Sequence, residues 1–166
     1  FLLGGINVDS TRPVTEFGRA RLAEVWRRVT EVTGATFGAG LPHGEFIYNS
    51  TRACVAVAVM RELIGRPPFE YLHRLQQRFF LLGEDVTAAA LLAEEAVAAG
   101  IDIRAFNALA QAPETLQRVR TGFAVAKSYG TAALPSVVIE IAGTRRLVAG
   151  GYIDAPTLSD ALHALV

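Results

Sequence analysis

An imbalance between helix and strand is the strongest constraint in this sequence. From about Glu16 to Tyr129 the apolar residues recur at helical spacing, in segments closed by glycine or proline. Strand patterning is confined to Phe1–Ile6 and to a hairpin after Gly130. Three strands make a small sheet for so much covering apolar surface, so the sheet this sequence builds is expected to be incomplete.

The helical stretch divides naturally. A helix from about Glu16 to Thr33 has Thr15 as N-cap and Leu22, Val25, Trp26, Val29 and Val32 along one face, with Gly34 at its end. After a glycine-rich loop, Asn49 and Ser50 are caps for a helix over Thr51–Ile64. Its run from Ala53 to Met60 is apolar nearly all round, which predicts a central position. Pro67 and Pro68 precede a helix carrying Phe69, Leu72, Leu75, Phe79 and Phe80. An alanine-rich helix over Thr87–Ala99, a short one after Asp102 through Ala110, and one from Pro113 to Tyr129 complete the set. Ser136–Ile141 and Arg145–Gly150 form the hairpin around an Ala142–Thr144 turn, and Asp154 caps a closing helix over Ala155–Leu165.

Composition narrows the function classes. Sixteen basic residues balance sixteen acidic ones without long runs, so charge points to no nucleic acid and no anionic membrane. The apolar stretches 53–60 and 87–99 are shorter than the roughly 20 residues a membrane-spanning helix needs. Cys54 is the only cysteine, and His43, His73 and His163 lack zinc-type spacing, so neither a disulfide framework nor a metal site is expected. Cys54 reads as a packed core thiol. The histidines, with Arg52, Arg145 and Arg146, read as surface residues, and Phe69, Phe79, Phe80 and Phe123 as core. Because Phe1 is not an initiator methionine and Phe1–Gly5 has the apolar density of a strand already under way, further residues are expected upstream.

The stretch Gly130–Val138, with Leu134-Pro135 opening a β-branched run, resembles the segment of thioredoxin-fold proteins in which a cis-proline begins the strand beside the active site. Leu147–Tyr152 resembles the paired strand and its glycine turn. Asn49–Cys54, Leu75–Phe80, Gly83–Thr87 and the helix into Gly130 are similar to the helical insertion of DsbA-like proteins, and Leu3–Ile6 to the end of their second strand. The resemblance implies an α/β thioredoxin-like fold with a large all-helical insertion. Residues 1–8 and 130–166 would form the incomplete thioredoxin-like part and residues 9–129 the insertion. The family's first strand and its Cys-x-x-Cys helix have no counterpart here. In that fold the first strand lies between the Phe1–Ile6 strand and the Pro135 strand. Leaving both edges bare would cost about 1 to 3 kcal/mol per buried unpaired group, against a total stability of about 5 to 15 kcal/mol. The segment therefore needs upstream residues, another chain or a rearranged sheet.

The chemistry that the resemblance implies is thiol–disulfide exchange by an oxidoreductase or isomerase, with the redox cysteines upstream of Phe1 and the visible segment inactive alone. Pro135 would be the cis-proline beside the reactive sulfur, and the backbone of Leu134 would pair with an extended substrate. No cofactor is implied. The partners would be protein or small-molecule thiols and disulfides, with a homo-oligomer left open. Two alternatives accompany this reading: a glutathione-dependent isomerase or transferase of kappa-type architecture, and a non-catalytic thioredoxin-fold binding module. The similarity to cytoplasmic members of the family points to the cytoplasm, with the periplasm as the other compartment.

Overall fold

The computed structural model describes residues 2–38, 40–130 and 133–165. Seven helices and one hairpin follow in the order α1 (Glu16–Thr33), α2 (Thr51–Ile64), α3 (Phe69–Phe80), α4 (Ala89–Ala98), α5 (Ile103–Gln111), α6 (Pro113–Ser128), β1 (Ser136–Ile141), β2 (Thr144–Gly150) and α7 (Ala155–His163). From α1 onward the order of helices, hairpin and closing helix is the one expected from the sequence.

The all-round apolar run makes α2 the hub. Ala56, Val57, Val59 and Met60 are essentially inaccessible, and α3, α4, α5 and α6 all pack on this helix. Tyr71, Leu75, Leu92, Ala96, Phe106 and Val119 close the core from those neighbours. The Tyr71 hydroxyl donates to the Leu92 carbonyl at 2.9 Å, so the buried phenol is satisfied while tying α3 to the first turn of α4. Glu95 is buried on α4, held by Arg74 (3.1 Å) and Arg78 (3.3 Å) from α3.

A second, aromatic cluster fixes α1. Trp26 stacks on Phe37 with centroids 5.1 Å apart and meets Phe79 and Phe80 edge-on, while Phe46 and Tyr48 pack on Phe79. The expected α1 face is only partly buried: Val25 and Val32 are 45% and 71% exposed. At 100° per residue they lie roughly 100° and 120° round the helix from Trp26. They therefore fall at the margin of a narrow seam that Leu22, Trp26 and Val29 occupy. Phe69 also departs from its predicted core position, at 59% exposure. It is the first residue of α3, and its side chain lies over the preceding turn rather than over the core-facing stripe.

The hairpin is antiparallel, pairing Ser136 with Gly150 and Ile141 with Thr144, with Val148 as the extra residue of a bulge. Ala142 and Gly143 both adopt positive φ (48° and 76°), the two-residue turn that matches strand twist, so Thr144 belongs to β2 rather than to the turn. In α7 the Asp154 side chain caps the first turn through the Thr157 amide and hydroxyl, which hold its carboxyl below the usual aspartate range. Among the described residues the sheet has two strands only. The predicted Phe1–Ile6 strand is not formed: residues 2–5 carry no strand pairing, and Phe1 lies outside the described residues. A strand exists only through its neighbour, and none is in place to pair with this segment.

Candidate functional site at the open sheet edge

The Leu134–Pro135 peptide bond is cis. Thr131 and Ala132, part of the stretch that carried the family resemblance, lie outside the described residues. On the hairpin side, the Pro135 carbonyl accepts the Gly151 amide at 2.8 Å, and Ser136 Oγ donates to the Ala133 carbonyl at 2.5 Å. Proline has no N–H to offer. Among the described residues Leu134 makes no hydrogen bond through its backbone, and its side chain is about half exposed.

The N-terminal segment comes directly to this edge, where the resemblance implied an intervening strand. A Cβ built on Gly4 would lie 2.6 Å from one δ-methyl of Leu134 and 3.2 Å from the other, so the two residues are in direct apposition. Gly5 is equally confined, by Val8 and the ring of Phe123 from α6. What holds residues 6–10 is a clamp that was read in the sequence as helix capping. Ser50 Oγ accepts the Ile6 amide at 2.7 Å, and the Ser50 amide donates to the Ile6 carbonyl at 3.1 Å. The Asn49 side-chain amide donates to the carbonyls of Val8 (2.9 Å) and Ser10 (3.0 Å), while its oxygen accepts the Thr51 amide. Ser50 occupies the N-cap position of α2 but makes no side-chain cap bond, because its hydroxyl is used by Ile6. Asn and Ser at a helix start serve either purpose, and local sequence does not separate the two.

The other candidate residues stay apart. Cys54 lies in α2, partly buried against the core, its sulfur 3.8 Å from Ser50 Oγ, and burial pushes its thiol pKa up. His43, His73 and His163 are exposed on three different parts of the chain. No group of three His, Cys, Asp or Glu side chains among the described residues is placed to hold a metal ion. Arg145 pairs with Glu140 across the hairpin at 2.8 Å and lies over the Tyr129 ring at 4.8 Å, both at the surface. No described helix is long and apolar enough to cross a membrane.

No protein-family model matches the sequence, and no curated protein is significantly similar to it. Solved structures are. A candidate protein disulfide isomerase from Nitrosomonas europaea superposes with a TM-score of 0.85 at 29% identity, over 97% of this chain and 78% of that one. The chain shares the DsbA-like thioredoxin fold with that protein. The cytosolic disulfide reductase DsbM of Pseudomonas aeruginosa shares the fold at 21% identity and a TM-score of 0.71, covering 93% of this chain and 77% of that one. A DsbM structure with GSH gives 19% and 0.63 over the same shares. The DsbA-like assignment accounts for the architecture: a thioredoxin-like hairpin and terminal helix, with a large helical insertion ahead of them. It also places the chain in the thiol–disulfide oxidoreductase superfamily.

Proposed function

We propose that this chain forms the client-binding edge and the helical insertion of a thiol–disulfide oxidoreductase or isomerase, whose reactive sulfur comes from polypeptide outside the 166 residues. Leu134 carries the reading: a residue with both backbone hydrogen-bonding groups unused, half exposed, directly before β1 and against Gly4. Bare backbone groups at a sheet edge are a template for an added strand. An extended protein or small thiol client lying there has its disulfide held beside Pro135. A thiolate attacks one client sulfur, forms a mixed disulfide and releases the other sulfur as thiolate. A second thiol then resolves the mixed disulfide.

Cys54 is a poor candidate for that nucleophile. Its pKa is raised by burial, so the thiolate is scarce near neutral pH, and it sits in the hub helix rather than at the sheet edge. The reading that glutathione is the thiol partner draws support from the DsbM structure with GSH. For the compartment we propose the cytoplasm, the location named for DsbM.

Turnover of a small disulfide substrate by the complete polypeptide, in the presence of a thiol reductant, tests the proposal. We expect activity, and we expect Cys54→Ser to leave it unchanged within a factor of about two, since the residue takes no part in exchange. A folded protein without turnover overturns the redox reading in favour of a binding module. Loss of activity in Cys54→Ser overturns the assignment of the nucleophile.

A further inference from the structure

A groove of about 920 Å³ crosses the helical insertion from residues 8–11 and the start of α2 to the α5–α6 junction. Its floor is apolar, formed by Val55, Leu92, Phe106 and Leu116. Arg52 and Arg120 stand among the polar lining residues with Asn107 and Gln111, and no Asp or Glu lines the groove. The neighbouring carboxylates Asp9 and Glu114 are exposed outside it. Arg120 has no hydrogen bond or ion pair among the described residues. Arg52 makes one long contact, 3.5 Å to the Thr87 carbonyl. The Thr51 hydroxyl at the same site is withdrawn from solvent and has no hydrogen-bond partner. Arg74 and Arg78, on the other side of the core, are matched by glutamates. Arg52 and Arg120 are not.

We propose that this groove is a specificity site for the client, binding a segment that carries an acidic side chain flanked by apolar ones. The inference rests on the client-binding reading above. Two guanidinium groups without counter-ions, set over an apolar floor, are suited to a carboxylate borne on an apolar stem. Continuity with the sheet edge supports a protein client over a free small acid. Gly4 touches Leu134, and Val8, four residues on, lines the groove, so chain geometry limits the separation of those two glycine- and valine-bearing points to roughly 14 Å. A client strand crossing Leu134 bridges that distance in about four of its own residues.

The experiment uses the complete polypeptide and two fluorescently labelled, cysteine-free peptides identical except that one carries Glu where the other carries Lys, within an apolar sequence. Fluorescence anisotropy is expected to show the Glu peptide binding about tenfold more tightly, the scale of a charge-assisted contact. The Arg52→Glu, Arg120→Glu double variant should reverse the preference, while Arg66→Glu, outside the groove, should not. Equal affinity for both peptides, or a preference that survives the double reversal, overturns the proposal. An isolated organic acid that competes fully with the Glu peptide overturns the assignment to a client segment. Disulfide turnover measured on the same preparations keeps the two readings apart. Turnover without charge preference removes the groove, and charge preference without turnover removes the redox reading.

Discussion

Replacing Phe106 by alanine is expected to lower the unfolding free energy by about 3 to 5 kcal/mol, the range for deleting a buried aromatic ring. Phe106 is only 2% exposed, and its helix α5 packs against α2, α4 and α6, so the ring is enclosed on several sides by elements that cannot all move inward. The loss has two parts, the transfer free energy of the ring and the cavity left behind. Against a typical total of about 5 to 15 kcal/mol, it removes a large share of the stability. Urea unfolding followed by far-UV circular dichroism measures it. A loss below about 1 kcal/mol would mean that the site collapses freely and that α5 is not part of the core.

Gly4→Val, made in the complete polypeptide, is expected to reduce kcat/KM on a disulfide substrate by about tenfold to a hundredfold, the scale of a misplacement near 1 Å in a binding site. A Cβ on Gly4 meets both δ-methyls of Leu134, so the branched valine side chain displaces the half-exposed Leu134 side chain from its place at the edge. The residues flanking Gly4 are outside the main buried cluster except for a peripheral contact from Leu3, so stability should change little. The double variant Gly4→Val, Leu134→Ala removes the opposing side chain and should recover part of the loss, a coupling expected only between groups in contact. Unchanged turnover in Gly4→Val would show that the apposition has no bearing on the client.

Much of this architecture was legible because it is written in local patterns. The all-round apolar run 53–60 announced a hub helix, Thr15 and Asp154 announced their helix starts, and the β-branched run 136–141 announced a strand. Each signal acts within a few residues, and each is realised. Long-range partners were less visible. The strand expected near Phe1–Ile6 depends on a neighbouring strand, and among the described residues none pairs with it. The buried Glu95 with Arg74 and Arg78 carries no local signal, because its partners lie on another helix. Asn49 and Ser50 were legible as residues that satisfy backbone groups. Which backbone they satisfy, that of residues 6–10 across the fold, is a tertiary fact. The site itself was half legible: Leu134 and Pro135 stood out by resemblance, whereas Gly4 became part of the site only through its contact with Leu134.

Amide hydrogen exchange at Leu134, read by NMR in the complete polypeptide with and without a bound disulfide-containing peptide, probes the sheet edge most directly. The backbone of this residue is unpaired in the chain alone, so its amide should exchange rapidly when free and become protected once the peptide strand hydrogen-bonds to it. A peptide that binds and is turned over while the Leu134 amide exchanges at its original rate would contradict the account.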